Sequence, residues 1–150
     1  MDLGEATAAR YVRHAFEQML AVAVRLGDGQ VAVRPLGPKT NSAAALIVHC
    51  CAMAEFWLGH VALGRPSSRD RASEFTATPV LAELHTMVEH AVTSILGDMA
   101  RIEAGGSTPG HEARAHLLGG GSDDSVVLHV LEELFQHLGQ MEITADALLG

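Results

Sequence analysis

Residues 41–63 read NSAAALIVHCCAMAEFWLGHVAL and contain a single formally charged residue, Glu55. Asn41 or Ser42 offers a side-chain oxygen that can cap the first turn of a helix. A helix that is apolar nearly all round is a buried helix, since no polar face is left for water. The stretch therefore predicts a helix in the core of the protein.

Three other segments repeat apolar residues at steps of three and four, as one face of a helix requires. They are residues 8–26, 79–102 and 126–149, with Thr78-Pro79 and residues 122–125 as the predicted starts of the last two. Residues 27–40 predict a loop with at most a brief extended piece at 31–33. Four helices without a convincing strand pattern predict an all-α, four-helix bundle with long inter-helix connections, forming one domain over residues 1–150.

Composition narrows the function. The 150 residues are 48% apolar and carry a formal net charge of −8, so no basic surface is available for a nucleic acid. The longest apolar run, Ala43–Ala54, is shorter than the roughly 20 residues of a membrane span. Residues 1–5 lack the basic flank and apolar core of a secretion signal. We expect a soluble, cytoplasmic protein that binds neither nucleic acid nor membrane.

Three side chains suggest a metal site. Glu133 and His137 are four residues apart, so they differ by only about 40° around their helix and face the interior with its apolar residues. His49 lies inside the predicted core helix, and its face is otherwise apolar. Burying such groups costs several kcal/mol unless something satisfies them. The pattern predicts three ligands with one or two positions left open, which is typical of catalytic metal sites. A buried, hydrogen-bonded His-Glu pair without an ion is the alternative.

Four neighbouring residues are weaker candidates for a role in the site. His129 is a reserve fourth ligand, although a partly exposed helix histidine is the simpler interpretation. Met53 and Trp57 could line a substrate pocket beside the metal, or could be plain core residues. Gln140 could orient His137 or a bound water, and a solvated amide is equally compatible with the sequence.

The cysteines and the connections between helices have two interpretations each. Cys50 and Cys51 are adjacent and point about 100° apart on a helix, so we expect two reduced thiols that behave as small apolar residues. Arg65, Arg69 and Arg71 could gather an anionic substrate, although a charge-rich linker is usually only solvated. The glycine-rich connection 105–121 favours a mobile segment, with a functional lid as the alternative.

Several motifs together resemble one family of proteins. In chain order they are Asn41-Ser42 through Val48-His49, Phe56-Trp57-Leu58-Gly59-His60 with Gly64-Arg65-Pro66, Arg69-Asp70-Arg71 with Glu74-Phe75, and Glu133-Leu134-Phe135-Gln136-His137-Leu138-Gly139-Gln140. Their order and spacing resemble the DinB-like superfamily, within it the branch of the metal-binding domain of mycothiol-dependent maleylpyruvate isomerase. The resemblance implies a DinB-like bundle in which His49, Glu133 and His137 hold a divalent ion, zinc above all or nickel.

The resemblance also implies a chemistry and an assembly. Relatives use a low-molecular-weight thiol such as mycothiol to transfer to or isomerise small substrates, and they are commonly homodimers. Two hypotheses follow. The first is a metal-dependent enzyme that activates a thiol or water toward a small electrophile. The second is a non-catalytic bundle that binds a small ligand or a partner, with the three polar groups satisfied internally.

Overall fold

The computed structural model describes residues 5–150, with side chains from residue 7 onward. Within this range there are five α-helices: α1 Glu5–Gln30, α2 Ala43–Glu55, α3 Arg71–Glu74, α4 Leu81–Glu103 and α5 Asp123–Leu149. A π-helical segment, Phe56–Ala62, continues α2, and 3-10 turns occur at Gly37–Lys39, Glu112–His116 and Leu118–Gly121. The described residues contain no strand, so the all-α prediction is confirmed. Most of residues 1–5, from which the absence of a secretion signal was expected, lies outside this range.

The four long helices share one hydrophobic core. Helices α1 and α2 each pack against both α4 and α5. The largest fully buried side chains come from all four of them, and include Phe16, Met19, Leu46, Ile47, Met53, Leu84, Ile95, Leu134 and Met141. Burial of this apolar surface is the main stabilising term of the fold.

Helix α2 begins as its sequence indicates. The Ser42 hydroxyl accepts a hydrogen bond from the Ala45 amide at 3.0 Å, which caps the helix. The helical stretch Gly37–Ala62 is long and apolar enough to cross a membrane by length and composition alone, but 72% of its most apolar window is buried by the rest of the chain. Its composition is therefore that of a core helix, consistent with a soluble protein.

Residues 31–33 form a turn and irregular chain, which agrees with the predicted loop, although α1 continues to Gln30 and the loop was predicted to start at residue 27. Val31 is buried and its carbonyl accepts from the Ala44 amide at 2.9 Å. Two further local predictions were wrong. Helix α4 starts at Leu81, after the predicted Thr78-Pro79, because Asp28 accepts from the Leu81 amide and Glu83 from the amide before it. Helix α3 was predicted as part of a linker.

The connection between α4 and α5 is attached to the helices rather than free of them. The Thr108 amide donates to the Ala62 carbonyl at 2.7 Å, and the Nε2 atoms of His111 and His60 are 3.3 Å apart. Arg114 is buried and donates to a carbonyl and to the Asp123 carboxylate. The expected mobile segment is thus held against the end of α2.

Gly59 permits an ion pair that crosses the π-helical segment. The Arg65 guanidinium lies against Gly59 and forms two hydrogen bonds of 2.8 and 2.7 Å with the buried carboxylate of Asp98 on α4. A Cβ atom at Gly59 would be 1.9 Å from Nη2 of Arg65. An added Cβ would push the guanidinium away and disturb its two hydrogen bonds to Asp98, so glycine suits this position best.

We predict that Gly59→Ala lowers the free energy of unfolding by about 1–3 kcal/mol, because it leaves a buried carboxylate without its partner. The matched control is Gly97→Ala in α4, where no atom lies within 4 Å of the added Cβ. That change should stabilise the helix by up to ~1 kcal/mol. Urea unfolding measures both, and equal effects of the two variants would contradict the role of Gly59.

Candidate metal centre

His49 is a buried histidine near the middle of α2, with only 3% of its surface exposed. Burial lowers the pKa of its imidazole below the ordinary value. The hydrogen bond to Glu74 opposes this effect, while the neighbouring His137 adds to it. The net shift is downward, so His49 is neutral at pH 7 and one of its ring nitrogens carries a lone pair.

Glu133 and His137 project from α5 toward His49. One ligand atom from each of the three residues lies within 4.8 Å of the other two. The imidazole rings of His49 and His137 are nearly perpendicular, with centroids 4.8 Å apart. Nε2 of His49 and Oε2 of Glu133 are 4.0 Å apart, which is too far for a hydrogen bond. Two imidazoles and a carboxylate therefore converge around a common point without bonding to one another.

Glu74 sets the tautomer of His49. Its carboxylate oxygen Oε1 lies 2.9 Å from Nδ1 of His49, and both side chains are buried. Burial raises the pKa of Glu74, but the hydrogen bonds from Arg69 and His49 and their charges outweigh it, and the net shift is downward. An ionised carboxylate can only accept, so Nδ1 must carry the proton. The lone pair of Nε2 then faces Glu133, as a metal-ligating histidine requires.

Arg69 holds Glu74 in turn. Its Nε donates to Oε2 at 2.7 Å and its Nη2 donates to Oε1 at 2.9 Å, forming a two-point ion pair. Phe75, the residue after Glu74, stacks against the His49 ring, with ring centroids 4.9 Å apart. The short helix α3 and the residue that follows it thus bring Glu74 and Phe75 against one imidazole.

Glu74 and Phe75 belong to a motif noted in the sequence, but neither they nor the pairing of Arg69 with Glu74 were predicted as part of the site. The linker looked solvated because its charges are mixed and local. One signal was present: Asp70 is a good N-cap residue, and its side chain does accept from the Ser73 amide. A helix starting there places Glu74 and Phe75 at its end. Arg65 and Arg69 were suggested to gather an anionic substrate. Each is already paired with a carboxylate, which reduces the positive charge that is left for such a substrate.

Gln140 and His129 contact the other two members of the cluster. Oε1 of Gln140 is 3.3 Å from Nδ1 of His137, which leaves Nε2 of that ring free. Nε2 of His129 is 3.5 Å from Oε1 of Glu133, so His129 touches the carboxylate from outside. His129 is not among the three converging groups.

The two residues predicted to bind substrate occupy different surroundings. Trp57 is half-buried and its ring lies edge-on to His129, with centroids 4.7 Å apart. Met53 is fully buried in the hydrophobic core. Trp57 therefore lies near the outer side of Glu133, and substrate binding by either residue stays a prediction.

The cysteines are free, buried thiols, as expected. Burial raises the pKa of Cys50 well above its ordinary value and that of Cys51 to about 12. In the metal-free chain the raised pKa values keep both thiols protonated near neutral pH, and neither thiol belongs to the converging cluster. His60 is likewise apart from the cluster, because its Nδ1 is bonded to the Arg65 carbonyl at 2.7 Å.

The fold and the cluster together define an all-helical protein with a candidate metal centre. Two imidazoles and one carboxylate converge between its core helices. Comparison with protein families narrows this class. The mycothiol S-transferase family model matches residues 7–150, and the chain belongs to that family. The family is part of the DinB-like superfamily, which confirms the resemblance found in the sequence. No curated protein and no solved structure matched the chain.

The lowered pKa of Glu74 gives the metal-free protein a pH-dependent stability. Its contribution is present above the unfolded pKa of about 4.3 and is lost as pH falls through the lower, folded value. We predict that Glu74→Gln is less stable than the parent chain by about 1.5–3 kcal/mol at pH 7, and that the difference shrinks below about pH 4.

Denaturant unfolding in the presence of a chelator, from pH 7 to pH 3, measures this difference. Glu89→Gln, an exposed position on α4, is the matched control and should show a small effect at every pH. A Glu74→Gln difference that stays constant across the range would show that the carboxylate charge is not what stabilises the pair.

Proposed function

We propose that the chain is a divalent-metal-dependent enzyme that uses a low-molecular-weight thiol of the mycothiol type, or water, to transfer to, isomerise or hydrolyse a small electrophile. The observation that carries the proposal is the convergence of His49, Glu133 and His137 to within 4.8 Å in a member of the mycothiol S-transferase family. The family supports a small-molecule substrate and a transfer reaction.

The finer architecture belongs to the same proposal. We propose that α1, α2, α4 and α5 form one DinB-like four-helix bundle domain over residues 1–150, that it acts in the cytoplasm, and that two copies form a homodimer. The packing of α1 and α2 on both α4 and α5 supports the bundle. The homodimer and the cytoplasm are supported by the superfamily resemblance and the composition.

The donor set fits a divalent ion. Two imidazole nitrogens and one carboxylate oxygen suit zinc best and also nickel, with iron and manganese as further candidates. The tautomer imposed by Glu74 on His49 and the contact of Gln140 with His137 are the outer hydrogen bonds that such histidines need. His49, Glu133 and His137 would hold the ion and leave a position open, and the ion would lower the pKa of a thiol or water bound there toward neutrality.

The buried state of the chain's own thiols supports a sulfur nucleophile that comes from a cosubstrate. Cys50 and Cys51 are buried with raised pKa values, so they provide no sulfur nucleophile at neutral pH. The nucleophilic sulfur has to enter with a cosubstrate. We propose that Met53 and Trp57 provide apolar surface for the electrophile, and that Gln140 orients His137.

Metal content tests the centre. We expect about one divalent ion per chain in protein purified without chelator. His49→Ala and His137→Ala should each lose it, since either change leaves only two ligands. His85→Ala, an exposed histidine on α4, is the matched control and should keep the ion. Elemental analysis gives the result.

The opposite outcome would favour the non-catalytic alternative. Protein that contains no ion and cannot be loaded with zinc or nickel would show that the three groups do not form a metal site.

The reaction class is tested by thiol transfer. The protein loaded with zinc or nickel should accelerate conjugation of mycothiol to a model electrophile such as monobromobimane, above the rate with glutathione or cysteine. His49→Ala should remove the acceleration, and His85→Ala should retain it. A rate with the loaded protein that equals the rate without protein would contradict a thiol transferase. Equal acceleration with all three thiols would contradict a cosubstrate of the mycothiol type.

A further inference from the structure

Two histidine rings face each other where the connection between α4 and α5 meets the end of α2. Nε2 of His60 and Nε2 of His111 are 3.3 Å apart, and the two rings are inclined at 76° with their centroids 5.0 Å apart. The other nitrogen of each ring contacts the backbone. Nδ1 of His60 lies 2.7 Å from the Arg65 carbonyl oxygen, and Nδ1 of His111 lies 3.1 Å from the Ala113 amide nitrogen. All four ring nitrogens therefore have a hydrogen-bond partner.

The backbone partners fix the position of the proton on each neutral ring. An amide N–H group can only donate, so Nδ1 of His111 accepts and the proton of this ring is on Nε2. A carbonyl oxygen can only accept, so Nδ1 of His60 carries the proton and its Nε2 has the lone pair. Nε2 of His111 therefore donates to Nε2 of His60. The hydrogen bonds run in one direction, from the Ala113 amide through both rings to the Arg65 carbonyl.

This chain of hydrogen bonds exists only while both rings are neutral. An added proton on Nδ1 of His111 would face the Ala113 N–H group, and one on Nε2 of His60 would face the N–H group of His111. Each case removes an acceptor and brings two donors together. Histidine side chains change charge between about pH 5 and pH 8, so a fall in pH through this range breaks the chain.

The charged groups on the α2 side of the contact offer no replacement for the lost bond. The charged residues that line one cavity with His60 are Glu55, Arg65, Arg69, Asp70 and Glu74. Both arginines are paired with carboxylates, one of them Asp98 of α4, and the side chain of the aspartate caps α3. Glu55 forms no hydrogen bond with His60 in the part of the chain that the structure describes.

The charged groups on the side of the connection are also placed elsewhere. They are Glu112 and Arg114, close to His111 in the chain, and Asp123 at the start of α5. Arg114 donates to Asp123 at 3.0 Å, and Glu112 is exposed. Among the described residues, none of the three forms a hydrogen bond with either ring. A ring that gains a proton therefore has no carboxylate partner in place.

Two other contacts limit the part of the connection that the rings hold. The Thr108 amide donates to the Ala62 carbonyl at 2.7 Å, and Arg114 is bonded to Asp123. Between these contacts, and within the described range, residues 109–113 make one hydrogen bond to a residue outside the connection, that of His111 with His60. Loss of this bond frees the segment 109–113 and leaves both of its ends attached.

We propose that the contact between His60 and His111 is an acid-sensitive latch. It holds residues 109–113 against the π-helical segment while both rings are neutral, and it releases them when either ring takes up a proton. Release exposes the edge of the His60 ring, which lines one cavity with Phe56 and Glu74. The latch needs no metal ion, so this inference does not depend on the proposed function.

The proton positions are tested on the parent chain alone. Long-range proton–nitrogen correlation NMR of the ¹⁵N-labelled protein distinguishes the two neutral forms of each ring. At pH 7.5 we expect the proton on Nδ1 in His60 and on Nε2 in His111. His60 with its proton on Nε2, or His111 with its proton on Nδ1, would overturn the latch, because the chain of hydrogen bonds would not exist.

Hydrogen exchange tests the release. We expect the protection of the Ala113 amide, corrected for the intrinsic effect of pH on exchange, to fall about tenfold or more between pH 7.5 and pH 5, because its acceptor is lost. This range lies above the one in which the Glu74 carboxylate loses its charge, so the two effects are separate. Protection of Ala113 that is the same at both pH values would overturn the proposal.

A variant at His111 separates the latch from a general effect of acid. His111→Asn keeps a side-chain oxygen that can cap the Ala113 amide and takes up no proton in this range, so the protection of Ala113 should not change with pH. His85→Gln, at an exposed histidine on α4, is the matched control and should show the fall seen in the parent chain. An equal fall in His111→Asn would overturn the latch. Circular dichroism establishes that both variants are folded, and the proton positions in the parent chain decide the proposal if they are not.

Discussion

The hydrogen bond between Nδ1 of His49 and the buried carboxylate of Glu74 is the contact on which the candidate centre depends. A buried imidazole can turn either nitrogen toward a neighbour, and only one choice leaves a lone pair aimed at α5. Glu74 makes that choice, because an ionised carboxylate accepts and never donates. Without it, His49 would be an ordinary core residue beside Glu133 and His137.

The rest of the fold maintains this contact from two sides. Helix α2 is apolar enough to be buried, which brings His49 into the interior against α5. Helix α3 packs against α2, and its last residue, Glu74, contacts His49 together with the following Phe75. A short helix of four residues has little stability of its own, so its position depends on Asp70 at its start and on Arg69 bound to Glu74. The centre is therefore built from a long helix that excludes water and a short one that orients a ring.

The sequence predicted what depends on local periodicity. Helical spacing gave the all-α class and the four long helices, and the i, i+4 spacing put Glu133 and His137 on one face of α5. The burial of His49 followed from its apolar neighbours. Glu74 lies 25 residues from His49, and a pairing across a linker leaves no periodic trace. The π-helical segment was equally hidden, since one extra residue per turn changes the direction of Trp57 and His60 without changing the composition.

The Arg69–Glu74 pair also explains how a second carboxylate can lie against the centre without altering its charge. Glu74 alone would add a negative charge beside His49, raise its pKa and favour protonation over metal binding. Arg69 neutralises that charge at 2.7 Å, so Glu74 orients His49 while burial still keeps the imidazole neutral. The charge of the ligand set is then that of Glu133 alone, and a divalent ion held there retains one positive charge. Either an anionic sulfur or a hydroxide formed from bound water would neutralise that remaining charge, so an ion held there could activate a thiol or water.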